Sequence, residues 1–369
     1  MNREFDLIIY GATGFTGRLA VEYIDNNYSD LKWAIAGRNS EKLTEISNST
    51  MSKPPIFVAR SDDAETLSDI VRKTRVIASL AGPFSKYSNE LVNQCYENET
   101  NYLDITGENI WVRDLIDRYH KGCEDKGIFI IPSCGYDSIP SDIGSFYCHM
   151  MLNENIDHID GYHAGKGGVS GGTIETAFNI KNYKSSYKIS HPFLLNSKEF
   201  IKNNYNSKSK DKFSIKYVKD IKKYSAPFVM AIANTRVVRR TAELKQDKQT
   251  SYGPNFSYNE YMKTGSYISA LMITLGLGVL GLMIISPISN LFRKLFTKPG
   301  NGPDKKTRDE GWYESIFVVK TETGNKYKFR LYGEGDPGYK STAKLVCESA
   351  LCIALNFDQI KKNSSGGVL

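Results

Sequence analysis

Asp6-Leu7-Ile8-Ile9-Tyr10 is an apolar strand, and Gly11-Ala12-Thr13-Gly14-Phe15-Thr16-Gly17 follows it without a gap. Behind the glycines comes a segment with Leu19, Ala20, Tyr23 and Ile24 at helical spacing. Where a glycine-punctuated turn joins a strand to a helix, a dinucleotide pyrophosphate can rest on free backbone amides and on the positive end of the helix. Glycine is needed three times. Gly11 makes the turn, Gly14 lets amides approach the phosphates, and Gly17 lets helix and strand pack closely. The spacing is GxxGxxG rather than GxGxxG, so the chain after the turn must carry part of the assignment.

That continuation repeats the pattern. Trp33 to Ala36, Pro55 to Ala59, Val76 to Leu80, Tyr102 to Ile105 and Ile128 to Ile131 are short, nearly continuous apolar runs. Helical segments lie between them, among them one through Leu67, Ile70 and Val71, one from Leu91 to Tyr96 and one from Trp111 to Tyr119. Ser40, followed by Glu41 and Lys42, is expected to cap the helix after the second strand. Six buried strands alternating with helices predict a doubly wound parallel sheet, an α/β Rossmann-type NAD(P)-binding domain over residues 1–150.

Beyond Met150 the texture changes to longer polar stretches, a lysine- and asparagine-rich patch from Lys202 to Lys212, and two-residue alternation at Ile316 to Lys320 and Lys326 to Leu331. This predicts a second, α+β domain with a mainly antiparallel sheet, formed by 151–262 and 311–340. A final helix, 341–357, is expected to pack back on the first domain, and the tail from Lys361 to Leu369 is expected to be disordered. Inserted between the two parts is 263–295, in which no charged residue lies between Lys263 and Arg293, and Ile268 to Ile285 is long enough to cross a bilayer. Gly276, Gly278 and Gly281 would weaken a helix in water but are common in membrane segments, and Pro287, Arg293, Lys294 and Lys298 form its far flank. The expected location is cytosol-facing and associated with a membrane or lipid droplet, with a re-entrant or surface mode favoured over a span because both flanks lie on the same side if Gly311 to Leu355 completes the second domain's sheet.

The 369 residues carry a formal net charge of +7, with lysines spread along the chain and acidic residues among them. No dense basic block alternates with aromatics, so nucleic acid is not an expected partner. Cys95, Cys123, Cys134, Cys148, Cys347 and Cys352 show no CxxC pair, no zinc spacing and no secretory leader before them, so reduced thiols and no metal site are expected.

Nucleotide choice is read at the end of the second strand, where NAD-binding folds place a carboxylate on the ribose. Here the chain has Gly37-Arg38-Asn39-Ser40, and a guanidinium suits a 2′-phosphate, so NADP(H) is preferred over NAD(H). The expected cofactor contacts are Gly11, Thr13, Gly14, Phe15, Thr16, Gly17, Arg38, Asn39, Asp62, Ala81, Gly82 and Pro83. For Asp62, capping the helix after the third strand is an equally good explanation. Asp104 to Glu108 and Pro132 to Asp142 follow strand ends and are the expected walls of the cleft, with Tyr136 and Asp137 as candidate proton donors. Tyr162-His163-Ala164-Gly165-Lys166 has the YxxxK spacing of short-chain dehydrogenases, but glycines at 165, 167 and 168 argue against the helix that motif requires. Gly167 to Thr173 reads either as a second amide-rich turn facing the substrate or nicotinamide or as a flexible domain connector. Arg236, Arg239 and Arg240 share a helical face, available to an anionic substrate group or simply to water.

Taken together, GATGFTG (11–17), AGRN (36–39), LAGPF (80–84), YLDITGE (102–108), PSCGYDSIPSD (132–142), GGVSGGT (167–173), NTRVVRR (234–240) and GDPGY (335–339) resemble the saccharopine dehydrogenase-like oxidoreductases, a group that includes the trans-acting enoyl reductases of bacterial glycolipid synthesis. The resemblance runs from Ile9 to Leu355. It implies a two-domain NAD(P)-linked reductase and, from animal-type relatives, a hydrophobic stretch with lipid-droplet association. It transfers no catalytic residue. True saccharopine dehydrogenases hold two carboxylates with basic residues, and no such paired receptor is evident, so saccharopine itself is not the expected substrate. The expectation is an NADP(H)-dependent oxidoreductase acting on a small-molecule or lipid-like substrate with an enoyl or keto group. The alternatives are a non-catalytic NADP-binding membrane or lipid-droplet protein, as sensor or scaffold, and a soluble amino-acid dehydrogenase that keeps the apolar segment inside.

Overall fold

The computed structural model describes residues 3–168, 186–204, 208, 210–246, 248, 250–286 and 302–369. In the first domain β1 (Phe5–Tyr10), α1 (Phe15–Asn27), β2 (Trp33–Gly37), α2 (Ser40–Ser49), β3 (Ile56–Val58), α3 (Ala64–Val71) and β4 (Thr74–Ser79) alternate strictly. They are followed by α4 (Phe84–Tyr87), α5 (Asn89–Glu97), β5 (Asn101–Asp104), α6 (Asn109–Lys126), β6 (Phe129–Ile131) and α7 (Ile139–Met151). The strands form a parallel sheet in the order β13 (Gly367–Val368), β6, β5, β4, β1, β2, β3, so the order of strands reverses between β1 and β4. Alternate side chains of each strand face opposite sides. Leu7 and Ile9 pack with Ala20 and Ile24 of α1, while Ile8 packs with Leu67 and Ile70 of α3 and Leu91 of α5.

Two details differ from the sequence reading. The cap of α2 is Asn39, whose Oδ1 accepts from the Lys42 amide at 2.9 Å, and Ser40 is the first helical residue. Asn39 already has the extended backbone that a cap requires, so the helix starts there. The tail, expected to be disordered, ends in the seventh strand of the sheet, β13 (Gly367–Val368), parallel to β6. Val368 is fully buried, its amide donates to His120 Nδ1 at 3.0 Å, and the preceding glycines supply the positive φ that turns the chain back beside Ile128. The polar composition of Lys361 to Ser365 hides this short apolar end.

The second domain contributes β7 (Ile156–Lys166), α8 (Lys198–Asn204), β8 (Lys216–Val218), β9 (Lys223–Pro227), α9 (Ala231–Leu244) and β10 (Ser257–Thr264). After α10 (Tyr267–Ile285) and α11 (Lys305–Asp309), β11 (Trp312–Thr321) and β12 (Lys326–Glu334) complete the sheet. Its order is β12-β11-β7-β10-β9-β8, antiparallel throughout except for the parallel pair β7 and β10. Tyr162 and Lys166 therefore lie on a strand, not a helix. Tyr162 stacks on Tyr261 and Lys166 pairs with Glu310 at the surface. A wide turn at Pro337–Ser341 leads into α12 (Thr342–Lys361), whose Ala343, Val346, Cys347 and Ala350 pack against Leu7 and Ile9 of the parallel sheet. The six cysteines are all free thiols.

A capping box of Ser266 and Ser269 starts α10. Its 19 residues span about 28 Å at 1.5 Å per residue, close to a bilayer's hydrocarbon thickness. Ala270 is its one fully buried residue, and Ile268, Met272, Leu282 and Ile285 are between 64% and 74% exposed. It is therefore not the internal core helix that a soluble amino-acid dehydrogenase reading needs. Its far flank, Pro287 to Lys298, and the turn from Val169 to Thr173 lie outside the described residues.

Candidate active site

At the β1/β4 reversal the parallel sheet opens into a cleft of about 810 Å³, at the upper end of the usual range for small-molecule sites. Open α/β sheets bind their ligands at such a reversal, beyond the carboxyl ends of the strands. One side is the glycine turn. Gly11 has φ +84°, and a side chain there would press on the backbone of Leu80 and Ala81. A Cβ at Gly17 would overlap the Gly11 carbonyl oxygen, which is why strand and helix can meet this closely. Gly14 is the N-cap of α1 and provides no side chain to occupy the first amides of the helix. The cradle therefore fits the pyrophosphate of a dinucleotide, with Thr13, Phe15 and Thr16 also lining the cleft and Gly17 packed behind it. Phe15 is fixed edge-on to Tyr339 of the wide turn, ring centroids 4.6 Å apart, with the Arg308 guanidinium 5.4 Å over its face.

Arg38 lines the cleft at the end of β2, exposed, and its guanidinium makes no hydrogen bond or ion pair among the described residues. Lys42, one turn into α2, lines it as well. The sequence reading missed Lys42, although the spacing of four residues on a helix would have placed it near Arg38. Asn39 is engaged as the α2 cap and does not reach the cleft. Asp62 does not reach it either. It is held by Arg60 through paired hydrogen bonds of 3.0 Å, and its neighbour Asp63 caps α3, so capping is not the role of Asp62. Ser61 lines the cleft in its place.

Ala81, Gly82 and Pro83 form the wall after β4, with a cis peptide between Gly82 and Pro83. Glu108 fixes this loop, its two carboxylate oxygens accepting from the amides of Phe84 at 2.8 Å and Ser85 at 3.2 Å. Asp104 lies deeper and fastens the β5 and β6 loops together. It accepts from the amides of Thr106 at 2.8 Å and Ser133 at 3.1 Å and from the Tyr102 hydroxyl at 2.9 Å. Burial nevertheless raises its pKa to about 7.

The two candidate proton donors separate. Asp137 lines the cleft and its carboxyl makes no hydrogen bond among the described residues. Burial and then the charge of Glu260 raise its pKa to about 6. Tyr136 does not line the cleft. Its ring packs edge-on against Tyr313 at 5.0 Å, its amide donates to Thr342 Oγ1, and burial drives its hydroxyl pKa far upward. Glu260 of β10, behind Asp137 and unremarked in the sequence, is fully buried. It accepts from Ser141 Oγ, Asn234 Nδ2 and the Tyr258 hydroxyl, each at 2.8 Å. His163 Nε2 stands 3.4 Å from the same carboxylate, and Nδ1 meets Ser315 Oγ at 2.9 Å.

The three arginines of α9 serve neither expected purpose. All are buried. Arg236 makes a two-pronged pair with Asp211 at 2.6 and 2.7 Å, and Arg239 donates to the carbonyls of Pro192 and Tyr258. Arg240 pairs with Glu243 and donates to the Val368 carbonyl. What the second domain gives to the cleft is uncharged and mostly apolar instead: Ile189, then Val229, Met230, Ile232 and Ala233, then Gly281, Ile284 and Ile285 of α10, with Gly338 and Tyr339 of the wide turn.

Residues 7–131 match the family described as the saccharopine dehydrogenase NADP binding domain. The trans-acting enoyl reductase of Mycobacterium tuberculosis (strain ATCC 25618 / H37Rv) is 30% identical over 386 residues, covering 97% of this chain and 91% of that protein. That of Mycobacterium ulcerans (strain Agy99) is 29% identical over 388 residues, covering 98% and 91%. Among solved structures, apo saccharopine dehydrogenase (L-Glu forming) from Saccharomyces cerevisiae aligns over 98% of this chain and 93% of its own, with a TM-score of 0.53 and 12% identity, a likeness of fold.

Proposed function

This chain belongs to the saccharopine dehydrogenase-like oxidoreductases and is an NADP-linked enzyme, and from that premise we propose that it reduces an enoyl or keto group of a lipid-like substrate at a membrane or lipid-droplet surface, facing the cytosol. One observation carries the reading: a single cleft has the glycine cradle and two cations at one end and an uncharged, apolar wall from the second domain at the other. The names of the similar trans-acting enoyl reductases support the enoyl group. The exposed apolar helix supports the surface.

NADPH would lie with its pyrophosphate on the amides of Gly11 to Gly17, its 2′-phosphate toward Arg38 and Lys42, and its far half along Ala81 to Pro83. When bound, it supplies a hydride. Gly82 and Gly135 keep that part of the cleft narrow in side chains, and the loop tied down by Glu108 holds its wall in place. Asp137, protonated in part near neutrality, holds a proton for the atom that gains negative charge. The test is NADPH consumption by the full chain in lipid vesicles against enoyl and 3-ketoacyl thioesters of increasing length, with the reduced product identified by mass spectrometry. Product-coupled oxidation that improves with chain length is expected. Its absence with every thioester, in protein that binds NADPH, refutes the reading.

A further inference from the structure

The apolar end of the cleft and the surface of α10 are parts of one structure. Gly281, Ile284 and Ile285, in the last two turns of α10, line the cleft, whereas Met272, Val279 and Leu282 of the same helix are 52% to 66% exposed. Ile285 does both. It lines the cleft and is 74% exposed, so it stands at the mouth. Val229 and Ile232 line the same cleft and are also exposed, at 49% and 36%. Exposed apolar side chains lining an opening mark a place for an apolar ligand. At Gly281 an added Cβ would meet nothing within 4 Å, so the helix leaves open space there.

The occupant can be narrowed by chemistry. A peptide in this gap would bring amide groups against Ile189, Val229, Met230, Ile232, Ala233, Ile284 and Ile285, none of which has a polar side chain, at a cost for each unpaired group. A hydrocarbon chain brings none. The cavity of about 810 Å³ also has to hold a dinucleotide, so a long chain could enter only in part, with the remainder leaving beside α10. Along α10 that remainder meets 19 residues without a charge, a surface suited to bilayer hydrocarbon.

We propose that the last turns of α10 are a portal through which the acyl chain of the substrate passes from the bilayer into the cleft, lying over Gly281 between Ile285 and the Val229–Ile232 wall. The proposal rests on the lipid-substrate reading above. It makes α10 a part of the binding site as well as an anchor.

The test uses the full chain in phosphatidylcholine vesicles containing a fatty acyl chain with a diazirine near its end, with crosslinked peptides mapped by mass spectrometry. Wild type should be labelled at 284–285 and at 229–232, and also on the outer face of α10 around Met272. Gly281→Trp fills the open space, and it should lower labelling of 229–232 by at least about tenfold while leaving outer-face labelling and NADPH titration unchanged. Gly281→Ala, with a side chain too short to block the gap, should label as wild type does. Equal labelling of 229–232 in Gly281→Trp and wild type, or labelling confined to the outer face, overturns the portal. The two readings fail separately. Turnover of acyl substrates unaffected by Gly281→Trp removes the portal alone, while the expected labelling without any turnover removes the reductase reading and leaves the portal.

Discussion

Replacing Arg38 by alanine separates the two nicotinamide cofactors. Arg38 is exposed at the cleft edge, with Lys42 one helical turn away and no carboxylate paired to either side chain among the described residues. A 2′-phosphate carries about −1.5 to −2 charges at neutral pH. Two unit charges at 4 Å interact by about 1 kcal/mol in bulk water and about 4 kcal/mol at the effective dielectric of a protein surface. Exposure keeps Arg38 toward the lower part of that range, and a hydrogen bond to a charged group contributes about 1.5–3 kcal/mol. A loss of about 2 kcal/mol corresponds to roughly 30-fold in Kd, from 1.36 kcal/mol per factor of ten. NADH has a hydroxyl where NADPH has this phosphate, so its Kd should change by less than about threefold. Arg38→Ala, Lys42→Ala and the double variant can each be titrated with both cofactors by nicotinamide fluorescence. The NADPH penalty should shrink as salt rises, because this pair is open to screening. Equal weakening of NADPH and NADH, or a double variant that still prefers NADPH as wild type does, would refute the assignment of this end of the cleft.

Three further outcomes follow from the same geometry. Asp137→Asn should lower kcat on the order of 10²- to 10⁴-fold while leaving NADPH affinity in place; in wild type, activity should decline as pH rises through about 6, since the protonated carboxyl is the active form, and a variant that keeps both rate and pH profile rules Asp137 out. Asp142 Oδ1 is buried without a partner among the described residues and burial raises the carboxyl to about 7, so the folded state holds its proton more tightly than the unfolded chain; the stability this gives is complete below about pH 4 and lost progressively up to about pH 7. Tm against pH should therefore fall more steeply for wild type than for Asp142→Asn across that window, and parallel curves would contradict the burial argument. Finally, Gly17→Ala places a methyl group on the Gly11 carbonyl and the Ala12 backbone and should cost about 1–3 kcal/mol as well as NADPH binding, whereas Gly14→Ala meets only the Gly11 oxygen at 3.3 Å and should lose cofactor with little change in Tm.

The parallel sheet was legible because β1, β2, β4, β5 and β6 are largely buried on both faces and so read as apolar runs, each closed by a nearby glycine or proline. The glycine cradle and Arg38 were legible because their places follow from the order of strand and helix. Recognition failed where two residue types do the same local work. Asn39 and Ser40 both make good caps, as do Asp62 and Asp63, and only the backbone angle at the first helical turn decides between neighbours. Tyr136 and Asp137 are adjacent, yet one packs on Tyr313 and the other opens on the cleft, a difference set by β11 almost two hundred residues later. Glu260 gave no signal at all. A lone glutamate in a strand of alternating polarity looks solvated, and its burial depends on Ser141, Asn234 and Tyr258, donors that come together only in the fold.

The arginines of α9 bear most directly on what the cleft accepts. In sequence they resemble a receptor for an anionic group. In the fold each buried guanidinium is paired internally through its terminal nitrogens, and what they hold is α9 itself. Arg236 fastens the helix to Asp211, Arg239 to Pro192 and Tyr258, and Arg240 to the strand that closes the parallel sheet, while Asn109 of α6 donates to the carbonyls of Ile232 and Ala233. Removing one of these side chains would leave its partner unpaired in the interior, a larger loss than the pair's own net contribution. Arg236 and Arg239 thus fasten α9 within the second domain, and Arg240 with Asn109 ties it to the first, so the uncharged wall at its start, Val229 to Ala233, is held in place. An amino-acid substrate would need a cation at that wall to hold its carboxylate, and none of the described residues that the second domain contributes there is charged. A hydrocarbon chain needs only that the wall stay where it is, and the buried arginines provide that.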